Sequence, residues 1–305
     1  MGALRGRPID RWDCRVKFSR TLALAAVPLL AALTACTGGS GDAGGDTVRI
    51  GTTEASDRSW EIFEDKAKDA GITLDVVNFS DYSQLNIALS QGQIDANHFQ
   101  HLEFLGEYNT GADDDLTPIG ATQIVPLGLY SQKHQSRADI PRGGEIAIPN
   151  DPSNQARALF VLKGAGLLTL TGDNPSPTPA DIDANASKVK VTPVDAAQTA
   201  LSLASVDGAI VNNTFLERSG IDPASALYKD DPSSPAAEPY INTFVTRAED
   251  KDNATYLELV KIWHDPEIQA AVREESKGTS VEVERDGAQL EQILSRVEEG
   301  IRSAK

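Results

Sequence analysis

From residue 47 onward the chain alternates short β-rich runs with amphipathic helical stretches, and this alternation constrains its fold more than any other feature. A β run at 47–51 is followed by helical spacing over 56–70 that stops at Gly71. A second run at 73–79 leads to a helix over 81–91, headed by Ser80 or Asp81 and stopped by Gly92. Strand, helix and strand in succession imply parallel pairing, because parallel neighbours need a long crossover that a helix supplies. Further strands are expected at 117–121, 125–130, 145–148, 189–194, 208–212 and 241–246, with helices between most of them. Tyr256, Leu259, Val260 and Trp263 recur at helical spacing, as do Leu290, Ile293, Leu294, Val297 and Ile301, so each stripe marks a helix with one buried face. The fold class is α/β.

An internal echo points to a cleft. Gln91-Gly92-Gln93-Ile94-Asp95-Ala96-Asn97 and Ser205-Val206-Asp207-Gly208-Ala209-Ile210-Val211-Asn212 each follow a helix and deliver an apolar run ending in asparagine. Two similar sheets would then present their strand ends toward one place, and ligands of open α/β sheets sit at the carboxyl ends of strands. The length after residue 46 exceeds one usual core and suggests two lobes. Proline-rich stretches at 174–179 and 230–239 read as surface connections, the second leading back to the first lobe.

The N-terminus reads as an export signal. Arg5, Arg7, Arg11, Arg15, Lys17 and Arg20 precede an apolar run over 21–33 that Pro28 interrupts and that is too short to span a bilayer core of about 30 Å as a helix. Leu33-Thr34-Ala35-Cys36 resembles the processing site of bacterial lipoproteins, where the cysteine thiol is acylated and becomes the first mature residue. The alternative is an ordinary secretory signal cut after Ala35. The Gly- and Ser-rich leash that follows, through 46, fits a tether better. The expected layout is a signal peptide over 1–35 and a flexible tether over 36–46.

Of 28 basic and 45 acidic residues, residues 1–35 carry six and two, which leaves 22 against 43, a net of about −21. Such a surface is a poor partner for nucleic acid, whose binding depends on clustered lysine and arginine. The second cysteine, Cys14, lies in the leader, so no disulfide or cysteine metal site is expected after it.

Common catalytic signatures are missing: the chain has no H-E-x-x-H, G-x-S-x-G or P-loop. His98-x-x-His101 lacks the further ligands a zinc site needs. No catalytic residue, cofactor or metal is therefore expected, and binding is the reading that remains. In Pro149-Asn150-Asp151-Pro152-Ser153-Asn154-Gln155-Ala156-Arg157 the chain leaves a strand and enters a helix at about Ser153 or Asn154. That would put Arg157 in the first turn, where the helix dipole disfavours a cation. A bound carboxylate would resolve the conflict through a bidentate pair, and so would a carboxylate of the protein itself. Ser80-Asp81-Tyr82 and the segment from Asp95 through Phe104 are each expected to open a helix at the cleft mouth. Tyr82, Phe99, His101 and Phe104 would then build an aromatic slot, although core packing explains Phe99 and Phe104 equally well.

Taken in order, Phe79-Ser80-Asp81-Tyr82, Asp95-Ala96-Asn97, Phe99-Gln100-His101, Pro126-Leu127-Gly128-Leu129-Tyr130-Ser131, Ile148-Pro149-Asn150-Asp151-Pro152-Ser153-Asn154, Arg157-Ala158-Leu159, Ala209-Ile210-Val211-Asn212 and Pro239-Tyr240-Ile241-Asn242 resemble the methionine-binding lipoproteins of ABC importers. The resemblance implies a two-lobed, type II-like periplasmic-binding-protein fold, with lobe one over 47–127 and 237–305 and lobe two over 128–236. It implies a lipid on Cys36, an extracytoplasmic face of the cell membrane, and an importer permease and its ATPase as partners. By the same resemblance Arg157 holds the α-carboxylate of methionine, L and possibly D. Asn154, Asn212 and Asn242 contact the amino-acid backbone, and Tyr82, Phe99, His101 and Phe104 enclose the side chain. A short peptide, a sulfonate or a thiamine precursor is the alternative ligand, and an exported enzyme using the same cleft the alternative class. The chain departs from the family at Thr52-Thr53-Glu54-Ala55-Ser56-Asp57, where many members carry a Gly-Pro-His element, and in a longer tail beyond Val283.

Overall fold

The computed structural model describes residues 47–304; the expected leader, Cys36 and the tether lie outside the described residues. In chain order come β1 (Thr47–Thr52), α1 (Arg58–Asp69), β2 (Thr73–Asn78), α2 (Leu85–Ser90), β3 (Ala96–His101), α3 (Leu102–Ala112) and β4 (Thr117–Ala121). They are followed by β5 (Gln123–Ile124), β6 (Gly128–Tyr130), β7 (Gly144–Pro149), α4 (Pro152–Gly164), β8 (Val189–Val194), α5 (Ala196–Ser202), β9 (Gly208–Val211), α6 (Thr214–Arg218) and β10 (Tyr228–Lys229). The last part holds β11 (Asn242–Thr246), α7 (Ala254–Trp263), α8 (Pro266–Glu275), β12 (Val281–Glu282) and α9 (Gly287–Ala304).

These strands form two five-stranded sheets, ordered β2-β1-β3-β11-β4 and β10-β6-β9-β7-β8, and a two-stranded ribbon of β12 and β5. The parallel pairing expected from the strand–helix alternation holds for β1 with β2 and β3, and for β7 with β8 and β9. Both sheets are nonetheless mixed. β11 runs antiparallel to β3 and β4, while β6 runs antiparallel to β9 and β10. The reason is the chain path: β11 enters the first sheet only after the chain has built the second and returned through the short 3-10 stretch Pro235–Tyr240.

Each sheet is covered on both faces, as strands with two apolar faces require. On one face of the first sheet, α1 sets Trp60, Phe63 and Ala67 at helical spacing against Phe244 and Trp263. On the other, α9 buries Leu290, Ile293, Leu294, Val297 and Ile301 beside Leu102 and Leu105 of α3. Burying each such side chain contributes about 1.5–3 kcal/mol, so the long tail is a structural layer of this sheet. Gly106 lets α3 and α9 approach: a Cβ there would lie 2.7 Å from Val297 Cγ1.

The segment from Asp95, expected to open a helix, is instead β3, with every residue buried between β1 and β11. Sheet pairing on both edges overrides a sequence with no clear two-residue period. The helix begins one step later, where the His101 side chain accepts from the Phe104 N–H at 3.1 Å and caps α3. The helix expected over 81–91 is likewise shorter, because Asp81 Oδ1 takes the Ser83 N–H and Oγ into a local turn before α2 starts.

Candidate functional site

A cavity lies between the two sheets, at the carboxyl ends of β1, β3, β7 and β9, where an open α/β sheet binds ligands. Tyr82, Phe99, His101, Phe104, Asn154, Arg157, Asn212 and Asn242 all line it, so residues from five separate stretches of chain converge on one place. Glu54, Gln100, Gln123, Asn213 and Thr214 complete its polar lining.

The aromatic residues do both jobs the sequence left open. Phe99 and Phe104 pack edge to face at 5.6 Å, and Tyr82 touches both rings at 5.8 and 5.9 Å while lining the cavity with them. Tyr82 also meets Phe215 of α6 at 5.1 Å, which carries the aromatic wall across to the second sheet. Burial raises the Tyr82 hydroxyl above its ordinary range, so this wall is neutral.

A hydrogen-bond relay fixes the polarity of the neighbouring part of the lining. Asp151 caps α4 by accepting from the Asn154 N–H, and its Oδ1 also accepts from Asn154 Nδ2, each at 2.9 Å. The Asn154 amide is thereby oriented with Oδ1 away from Asp151. That oxygen accepts from Asn212 Nδ2 at 2.9 Å and from His101 Nε2 at 3.3 Å. His101 must therefore carry its proton on Nε2, which agrees with Nδ1 accepting from Phe104. Burial, reinforced by the Arg157 charge, pushes His101 down to about 3, so the ring is neutral. His98, three residues back along β3, stacks on Phe244 at 4.6 Å and bonds Thr122 at 3.0 Å through Nε2. The two histidines are engaged separately and do not converge as paired ligands.

Arg157 departs from the sequence expectation. α4 begins at Pro152 with Asp151 as its cap, which puts Arg157 in the second turn, beyond the unpaired N–H groups. The guanidinium, 3% exposed, donates Nε to Asp230 Oδ2 at 2.7 Å and Nη2 to the Val125 carbonyl at 2.9 Å. It also lies 4.0 Å above the Tyr240 ring. Val125 and Asp230 belong to the two stretches that cross between the sheets, so Arg157 ties both crossings to α4. Among the described residues Nη1 has no hydrogen-bond partner, which leaves one face of the fork for a ligand.

Glu54, Gln123, Thr214 and Asp230 escaped the sequence reading. The strand-end rule that located the asparagines also covers Glu54, just past the end of β1, and would have found it; Gln123 and Asp230 carry no such signal, because the crossings between sheets have no periodicity.

The D-methionine-binding lipoprotein MetQ of Escherichia coli O157:H7 is 31% identical over 226 residues, covering 72% of this chain and 82% of the relative. The substrate-binding protein of a methionine transporter from Streptococcus pneumoniae superposes with TM-score 0.72 at 34% identity, covering 78% of this chain and 95% of that one. A nutrient-binding protein from Burkholderia cenocepacia, solved bound to methionine, gives TM-score 0.72 at 34% identity, covering 77% and 99%. The fold is that of the periplasmic substrate-binding proteins of ABC transporters. By its sequence pattern over residues 48–284, the chain belongs to the NlpA lipoprotein family.

Proposed function

We propose that this protein is a lipid-anchored substrate-binding protein of the extracytoplasmic face, which binds methionine and hands it to an ABC importer's permease and ATPase without turning it over. The convergence of Tyr82, Phe99, His101, Phe104, Asn154, Arg157, Asn212 and Asn242 on a single cavity carries this reading. Relatives named for methionine binding and transport support the choice of ligand. In this reading Arg157 offers Nη1 to the α-carboxylate while Asp230 and Val125 hold the rest of the fork. Asn154, Asn212 and Asn242 contact the amino-acid backbone. The thioether lies among Tyr82, Phe99, His101 and Phe104, where each ring–sulfur contact contributes roughly 0.3–1.5 kcal/mol.

The two sheets act as lobes, 47–127 with 237–305 against 128–236, and a ligand bridging them favours the closed state that the permease reads. Acylation of Cys36 supplies the membrane attachment. Native mass spectrometry of the freshly purified protein tests the ligand: retained methionine is expected, whereas a retained peptide, sulfonate or thiamine precursor overturns the substrate assignment. Fatty-acid labelling that persists in Cys36→Ser overturns the anchor.

A further inference from the structure

The cavity has a second charged group that the methionine reading alone does not use. Glu54 lines it, directly after β1, within the loop where this chain departs from its family's Gly-Pro-His element. Its Oε1 accepts from Thr214 Oγ1 of α6 at 2.8 Å, a bond from the first sheet's side of the cavity to the second's. Among the described residues, no lysine or arginine nitrogen lies within 4.0 Å of this half-buried carboxylate. The charged groups around it are mostly acidic: Asp57, Glu217 and Glu275, with Arg218 as the cation whose field reaches it. Burial and these neighbours push the Glu54 carboxyl up, and Asp57 up to about 8.

Two more acceptors border the same cavity with no donor of their own. Among the described residues, Asn212 Oδ1 and Gln123 Oε1 are both buried without a partner. For Asn212 the orientation is dictated, since the relay from Asp151 through Asn154 requires its Nδ2 on the far side. A buried carbonyl without a donor is costly, and a buried carboxylate without a cation more so. The cavity thus offers an arginine N–H together with a carboxylate and two carbonyl oxygens.

We propose that Glu54 recognises the α-ammonium of the bound amino acid, with Asn212 and Gln123 as its neutral co-acceptors, and thereby makes the cavity select zwitterions over ligands that lack a charged amino group. An ammonium has three donors and no acceptor, which matches this set. The inference rests on the methionine reading, because it takes the carboxylate of the same ligand to lie at Arg157.

Calorimetry on protein unfolded, dialysed and refolded tests it, with L-methionine and 4-(methylthio)butanoate, the same molecule without its amino group. The wild type is expected to prefer methionine by roughly ten- to a hundredfold, the range of a hydrogen bond to a charged group. Glu54→Gln keeps the shape and can still accept from Thr214, so it should lose most of that preference through weaker methionine binding, with the des-amino acid bound as before. Glu54→Asp, which keeps the charge, should restore part of it. An unchanged preference in Glu54→Gln overturns the role of Glu54 while leaving the methionine reading intact. A wild type that binds neither compound overturns both.

Discussion

Two strand-to-helix crossings face the cavity, and they differ in how completely the protein satisfies them. After β7, Asp151 caps α4, Pro152 fills the first helical position, and the relay through Asn154 orients Asn212 and His101. Its loose end is the buried Asp151 Oδ2. After β1, Asp57 occupies the cap position of α1 without making a side-chain cap bond, and among the described residues Thr53 Oγ1 is buried without a partner and no lysine or arginine nitrogen lies within 4.0 Å of Glu54. The crossing after β7 is satisfied within the protein but for that one oxygen, and the crossing after β1 is less so. Local dissatisfaction of this kind persists where the surrounding fold over-determines it, and it concentrates at functional sites.

Breaking the satisfied wall should have the largest effect. Arg157→Ala removes the tie to both crossings between the sheets and should weaken methionine binding by about 2–5 kcal/mol, with Asp230 left unpaired. Arg157→Lys should recover little, since an ammonium cannot serve Asp230, Val125 and a ligand in one plane. Calorimetry beside thermal melting separates the loss of binding from the loss of stability.

Cutting the relay comes next. Asn154→Ala strips the acceptor from Asn212 and His101, and should cost about 1–3 kcal/mol of stability for the donors left unmade. With Asn212 free to flip its amide, the preference for methionine over 4-(methylthio)butanoate should also fall. If that preference holds in the variant, the relay does not set the polarity of the cavity.

His101 in the cavity and Asp57 beyond its lining should also answer pH with opposite signs. His101 is held neutral down to about 3, below its unfolded value near 6.5, so its contribution to stability is present above that value and is lost as pH falls. Asp57 is raised to about 8, so the folded state holds its proton more tightly than the unfolded chain does. Its effect on stability is lost as pH rises from the ordinary carboxyl range through about 8. Asp57→Asn should therefore raise the melting temperature more at pH 8.5 than at pH 5, by roughly 1–3 °C. An equal shift at both pH values would remove charge as the cause.

Much of this arrangement was legible in the sequence because it follows from periodicity. The α7 stripe of Tyr256, Leu259, Val260 and Trp263 and the α9 stripe both appear where helical spacing puts them. The asparagines at the ends of apolar runs were found because strand ends meet at the cleft. β3 was read as the opening of a helix because Asn-His-Phe-Gln-His shows no alternation, and its strand character comes from neighbours on both edges. Arg157 was placed one turn too early because Pro152 at the first helical position, with Asp151 as cap, moves the start of α4 back. Its protein partners were invisible, since Asp230 lies 73 residues away along the chain.

The central claim, that this cavity is built for methionine, is tested most directly by ligand-induced stabilisation of protein stripped of any retained ligand. A ligand that binds only the folded state at a hundredfold excess over Kd adds about 2.7 kcal/mol, or roughly 5–10 °C for a chain of this size. L-methionine should give that shift, and norleucine, which keeps the shape without the sulfur, a smaller one. Glutamate and lysine should give none, because each would bury a second charge among Tyr82, Phe99 and Phe104 with no partner. A refolded protein that ignores methionine and is stabilised by a dipeptide or a sulfonate would contradict the account.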